Sequence, residues 1–224
     1  MTPKSLDHIA LWVADRDPIA DFASEHLGMH VIERTDRFTL VGSDARRGKL
    51  TLFAAEAPRE SGALLRIGLR VNDLDAALAA LPSGFGEEFE VGEGLRIRLD
   101  EAPTDVDYDL DHVALQAPDP ERAAREWLPL GFTTAAQRDG VPRVEAAGAY
   151  LELHEGDPGQ TERPLLNHLG LLVESADEWR ERAEDAGAEI ADVVDAPNTY
   201  AVFVWGPDQV KLEYVEHKPS FSLT

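Results

Sequence analysis

An α+β fold made of four copies of a βαβββ unit is predicted by three observations. These are a recurring leucine frame, a capped helical pattern after each frame, and short strand-like runs behind each helix. The frame is a leucine, four residues and a second leucine, found at Leu6 to Leu11, Leu64 to Leu69, Leu110 to Leu115 and Leu166 to Leu171. Each frame opens an alternating or apolar run, LDHIALWV, LLRIGLRV, LDHVALQA or LNHLGLLV, that reads as a strand with one face on a core. The frames stand 58, 46 and 56 residues apart.

The helices follow directly. DPIADFASEHLGM, DLDAALAAL, DPERAAREWLPLGF and SADEWRERAEDAGAE each begin with an Asp or Ser that can cap free amides. Pro18 and Pro120 fall in a first turn, where a missing N–H is harmless, and Gly28, Gly131 and Gly187 follow the apolar stretches. Behind the first helix lie HVIERT, FTLVG and KLTLFAA, and behind the fourth EIADVVD, TYAVFVWG and VKLEYVEH, so about three strands are expected after each helix. One such unit cannot bury its sheet face alone, and adjacent copies are expected to pair. The Asp- and Pro-rich stretch DEAPTDVDYD reads as a solvated linker. It divides the chain near Asp107 into a first pair of modules over 1–107 and a second over 108–219, with 220–224 as a tail.

Composition removes several functions. With 21 Lys and Arg against 43 Asp and Glu, the formal net charge is −22. Binding to nucleic acid or anionic lipid would lack its electrostatic drive. No run approaches the roughly 20 apolar residues of a membrane span, and MTPKSLDHIALWV does not read as a signal peptide. The absence of cysteine excludes disulfides, thiolate metal sites and a Cys nucleophile, which suits a cytoplasmic location. Chemistry must come from His, carboxylates, Ser or Lys.

Paired βαβββ modules that open with LDHIAL, LDHVAL and NHLGLL and close with GPDQVKLEY resemble the vicinal oxygen chelate superfamily of glyoxalases, bleomycin resistance proteins and extradiol dioxygenases. The resemblance runs from Leu6 to about Pro219. It implies two glyoxalase-like domains, a small-molecule substrate, one divalent transition metal (Fe, Mn, Ni, Co or Zn), and a fold compatible with a homodimer.

The third position of the frame holds His8, Arg66, His112 and His168, three of the seven histidines in the chain. In the last strands of the third and fourth modules, Glu152 and Glu213 each sit between apolar residues, where an unpaired carboxylate is costly to bury. If the third and fourth modules pack as in that superfamily, His112, Glu152, His168 and Glu213 form one metal site of nitrogen and oxygen donors. The first pair offers His8, with Arg66 in place of its partner and Thr51 and Arg96 in the carboxylate register. Two arginines would repel a cation, so His8 reads as vestigial or structural.

The His, Glu, His, Glu pattern resembles glyoxalase I. It implies a lyase or isomerase that stabilises an enediolate, with a carboxylate of the shell, Glu152 or else Glu213, as the catalytic base. An alternative is an extradiol dioxygenase using Fe(II) on His112, His168 and Glu213, although Ala147-Gly148-Ala149 and Phe203 stand where that family places a His and a Tyr. A second alternative is a non-catalytic small-molecule binding protein. Trp205 and Tyr200 are candidates for an aromatic wall, with His154 beside Glu152 and Arg143 as a contact for an anionic substrate.

Overall fold

The computed structural model describes residues 2–223, so Thr224 of the expected tail lies outside the described residues. The first module contains β1 (Ser5–Val13), α1 (Arg16–His26), β2 (His30–Arg34), β3 (Phe38–Asp44) and β4 (Arg47–Ala54). The second has β5 (Leu64–Val71), α2 (Leu74–Ala80), β6 (Glu88–Gly92) and β7 (Leu95–Glu101). The third has β8 (Asp109–Ala117), α3 (Pro120–Trp127), β9 (Thr133–Arg138), β10 (Val141–Ala146) and β11 (Ala149–Glu155). The fourth has β12 (Leu166–Leu172), α4 (Ala176–Asp185), β13 (Ile190–Asp195), β14 (Thr199–Trp205) and β15 (Lys211–His217). The α+β paired-module fold is as expected.

Local chemistry sets the helices. Asp15, Asp73, Asp119 and Ser175 each accept a backbone N–H at the start of a helix, and Pro120 opens α3. The second module lacks the third strand expected of it. Residues 82–87 carry Pro82, Gly84 and Gly86, which break a strand, and the short 46-residue spacing of the frames is where this loss registers.

The larger correction concerns pairing. One sheet has eight strands in the order β13-β14-β15-β12-β1-β4-β3-β2, so it joins the fourth module to the first. The other has seven, β6-β7-β5-β8-β11-β10-β9, and joins the second to the third. Each sheet therefore crosses the expected boundary at residue 107, and the halves 1–107 and 108–219 do not each close a sheet. The seams are antiparallel contacts between opening strands, β1 with β12 and β5 with β8. Charge gives the physical reason: this pairing sets the arginines of the second module beside Glu152 of the third, and leaves the first and fourth modules to share their histidines.

Every strand of the two seams buries alternate apolar residues, among them Ile9, Leu11, Ile67, Leu69, Val113, Leu169 and Leu171. The helices pack against strands of their own modules, with Trp127 of α3 and Trp179 of α4 buried. The opposite faces of the sheets carry the polar residues. Among the described residues, no helix is long and apolar enough to cross a membrane.

Candidate metal centre

The four ligands expected together are divided two and two. His168 on β12 and Glu213 on β15 lie in the eight-stranded sheet, while His112 on β8 and Glu152 on β11 lie in the seven-stranded one. His8, expected to be vestigial, completes the first group.

In the eight-stranded sheet β1 runs antiparallel to β12 with His8 opposite Gly170 and Ala10 opposite His168. β15 lies parallel to β12 on its other side, with Glu213 beside Gly170. Small residues thus fill the middle of the site while larger ones lean over them. A methyl on Gly170 would come within 2.4 Å of the His8 ring, so the imidazole needs that glycine. The Nε2 atoms of His8 and His168 are 3.0 Å apart, and Glu213 Oε2 is 2.9 Å from each. All three residues are buried, and they are one of two donor clusters among the described residues that could hold an ion. Thr51, beside Ala10 on β4, occupies the fourth register.

A second layer fixes His8. Asp7 Oδ2 is 2.8 Å from His8 Nδ1, and Lys49 Nζ donates to Asp7 Oδ1 at 2.9 Å. His217 Nε2 lies 3.3 Å from the same Asp7 oxygen, and Phe221 stacks on His217, so residue 221 is part of the sheet's end and not a free tail. An imidazole whose far nitrogen is held by a carboxylate presents its near nitrogen as a donor. Phe53 and Phe203 flank His168 at ring distances of 6.2 and 5.0 Å. The His168 Nδ1 atom is buried without a partner.

Electrostatics follows from these contacts. Burial opposes a charged His8, yet Glu213 and Asp7 outweigh it and hold the imidazole up at about 9. Burial likewise opposes the Glu213 charge, but His8 and His168 hold the carboxyl down at about 2. Burial pushes His168 below the ordinary range despite Glu213. Lys49, His217 and His8 keep Asp7 well below the usual carboxylate range, against the cost of its burial.

Protein stripped by a chelator should therefore show two pH limits. The raised His8 contributes stability that is present below 6.5 and lost as pH rises through about 9. The depressed Glu213 contributes stability present above 4.5 and lost as pH falls through about 2. Urea midpoints measured across pH should form a plateau between these limits, and His8→Gln should remove most of the alkaline decline.

The donor set fits a divalent transition metal. Ligand atoms about 2.1 Å from one ion at right angles to each other are about 3 Å apart, which is the spacing found here. Two imidazoles and one carboxylate on one face of an ion, with further positions free, suit iron(II), with manganese, nickel, cobalt and zinc also accommodated by such donors.

The seven-stranded sheet carries the same frame with different chemistry. His112 lies opposite Gly68, with its Nδ1 2.9 Å from Asp111 Oδ2, as His8 is to Gly170 and Asp7. Glu152 lies beside Ala114, the register of Thr51. The remaining two positions are Arg66, opposite Ala114, and Arg98, beside Gly68. The carboxylate register of the second module is thus Arg98 and not Arg96, which is exposed two residues away and pairs with Glu88 at 2.7 Å. Arg66 reaches over Ala114 to Glu152 at 2.7 Å, and Arg143 Nε and His112 Nε2 lie 3.5 and 3.6 Å from the same carboxylate. Guanidiniums surround Glu152 where a cation would have to sit. His154 is 3.7 Å from Glu152, and its proton affinity is lowered by burial and by Arg66.

Of the other expected site residues, Trp205 lines a cavity beside the His8 cluster. Tyr200 bonds to Asp177 instead, and Arg143 packs over Tyr150. Asp7, Lys49 and His217 were not anticipated. The repeated Asp-His dipeptide at 7–8 and 111–112 was the available signal for Asp7.

Comparison with known proteins agrees with this architecture. Residues 5–88 match the family model described as the Glyoxalase/Bleomycin resistance protein/Dioxygenase superfamily. No curated protein is significantly similar to the chain. Among solved structures, a provisionally assigned dioxygenase from Bacillus subtilis subsp. subtilis str. 168 superposes with a TM-score of 0.79 at 16% identity, covering 98% of this chain and 87% of that one. A single-substitution mutant of glyoxalase I from Zea mays gives 0.75 at 16% identity, with 95% and 93% covered. The cppA protein from Streptococcus pneumoniae TIGR4 gives 0.64 at 16% identity, with 96% and 100% covered. The resemblance to the vicinal oxygen chelate superfamily thus holds in sequence over residues 5–88 and in fold over nearly the whole chain.

Proposed function

Given a glyoxalase-type fold with two imidazoles and one carboxylate at the centre of a sheet, we propose that the chain is a metal-dependent enzyme. Its substrate is a small molecule with two neighbouring oxygens, and its reaction is oxygen-consuming cleavage of the extradiol type. The observation that carries this reading is the convergence of His8, His168 and Glu213 with Thr51, and no second carboxylate, at the fourth register. When bound, a divalent metal such as iron(II) supplies Lewis-acid and one-electron chemistry to the substrate's oxygens.

The chain's own residues prepare the site. Asp7, fixed by Lys49 and His217, holds the His8 ring in one orientation. Gly170 and Ala10 leave the floor open, and Phe53 and Phe203 wall off His168 from water on two sides. Thr51 offers a neutral hydroxyl at the position where a second carboxylate would narrow the site.

A lyase or isomerase of the glyoxalase kind needs a carboxylate that can take a proton between neighbouring carbons. Glu152 lies in the other sheet, and Glu213 is the one carboxylate of the three-donor cluster, where it is needed as a ligand. These two facts favour the dioxygenase reading over the isomerase one.

Anaerobic reconstitution with iron(II), followed by oxygen-electrode assays over a panel of catechols, tests this reading. About one iron per chain and stoichiometric oxygen uptake are expected. Conversion of a vicinal-oxygen substrate without oxygen uptake would overturn the dioxygenase assignment in favour of an isomerase. A reconstituted protein without metal would overturn the metal-dependent reading altogether and leave the non-catalytic binding protein.

A further inference from the structure

The eight-stranded sheet holds more than the histidine cluster. A cavity of about 600 Å³, of a size that takes a small organic ligand, is lined by Trp12, Trp205, Lys211, Arg163 and the segment 158–164. Two routes join it to the cluster. On the antiparallel pair β14 and β15, Trp205 lies opposite Lys211 and, two residues along, Phe203 lies opposite Glu213. Side chains two residues apart on a strand share a face and stand about 7 Å apart. On the other side, the Trp12 ring lies 5.3 Å from Phe53, whose ring lies 6.2 Å from His168. The cavity and the cluster therefore share one floor.

The charges in this cavity differ from those elsewhere on the concave faces. Arg66, Arg138 and Lys49 are each paired with a carboxylate. Lys211 and Arg163 have no carboxylate within ion-pair distance among the described residues. Lys211 Nζ lies over the Trp205 ring at 4.9 Å and the Arg163 guanidinium over the Trp12 ring at 5.8 Å. Two acids also line the cavity. Asp208 is bound by Arg122, which leaves Glu162 on the lining and, further off on β13 beside Phe203, Asp192 to offset the two cations. In a chain of net charge −22, a cavity with two unpaired cations and two indole walls is built for a particular partner.

We propose that this cavity makes the site selective for an aromatic acid: a planar ring with adjacent oxygens at the His8 cluster and a carboxylate, one ring substituent away, on Lys211 and Arg163. The inference rests on the dioxygenase reading for what happens at the oxygens, and on the cavity alone for the carboxylate. The indoles give the ring its stacking surfaces, and the two cations set which end faces the cluster. Lys211 and Arg163 are specificity residues and take no part in bond breaking.

The test compares a neutral catechol with a dihydroxybenzoate, by tryptophan fluorescence titration and by oxygen uptake. In the wild type the carboxylated ring should bind about tenfold or more tightly than the neutral one, as for a hydrogen bond to a charged group. Lys211→Met and Arg163→Gln should each reduce that preference, and together abolish it, while iron content stays unchanged. Arg163 is exposed, so its variant remains informative should Lys211→Met misfold. Equal binding of the two rings by the wild type, or a preference that survives both substitutions, overturns the proposal. A carboxylate preference that depends on Lys211 without oxygen uptake sustains the cavity assignment and overturns only the dioxygenase reading.

Discussion

Glu213→Ala is expected to empty the metal centre. The substitution removes the sole carboxylate among three converging donors and leaves the His8 and His168 Nε2 atoms facing each other at 3.0 Å. Without Glu213, the interaction that most strongly favours a charged His8 is gone. Loss of a partner that merely orients a ligand weakens metal binding by about 10- to 100-fold, and loss of the ligand itself should exceed that. Metal analysis of purified, reconstituted protein should fall from about one ion per chain to near zero, with oxygen uptake lost in parallel. His112→Ala should keep its full complement, because His112 lies in the other sheet. A normal metal content in Glu213→Ala, or its loss in His112→Ala, would reverse the assignment.

Glu152→Ala is expected to act in the opposite way, on stability and not on metal. The Glu152 carboxylate is buried and serves Arg66 at 2.7 Å and Arg143 at 3.5 Å, with Arg138 at 4.0 Å. Removing it leaves the mostly buried Arg66 and Arg143 guanidiniums without a carboxylate partner, while Arg138 keeps Asp100. Breaking a buried pair from one side costs about 3–5 kcal/mol, which for a chain of this size lowers the melting temperature by roughly 10 °C or more. Glu152→Gln, which keeps the shape and a hydrogen-bonding oxygen, should cost less. Differential scanning calorimetry beside metal analysis separates the two roles. A stable Glu152→Ala protein that has lost its ion would return Glu152 to the metal centre.

The contrast between these two glutamates shows how far the sequence could be read. Glu152 and Glu213 stand at similar places in apolar strands, and their burial was legible because alternation marks which face a residue takes. The helices were legible for a similarly local reason: Asp73, Asp119 and Ser175 cap them through contacts three residues long, although α1 is capped by Asp15, two residues before the expected Asp17. Which modules lie side by side is a different kind of information. The leucine frame is the same in all four copies, so β1 fits β5 as well as β12 by apolar pattern alone. The distinguishing signal was charge. Arg66 and Arg98 cannot share a site with a cation, but they match Glu152, whereas His8 matches His168 and Glu213. Adjacency in the chain obscured that match and led to the separation of His8 from its true partners. Lys49 and His217 were harder still, since nothing near them in sequence announces that both reach Asp7.

The meeting of the first and last modules also bears on how the protein comes into being. His8 and His168 are 160 residues apart along the chain, and Glu213 lies further on. The second and third modules are neighbours in sequence, so their sheet can close through the shorter loop, whereas the histidine cluster waits for a contact between distant segments, the kind that forms slowly. During synthesis, His8 leaves the ribosome long before its partners exist. On the proposed metal assignment, ion uptake would report that the outer modules have joined, and a time course of metal binding during refolding would follow that closure directly.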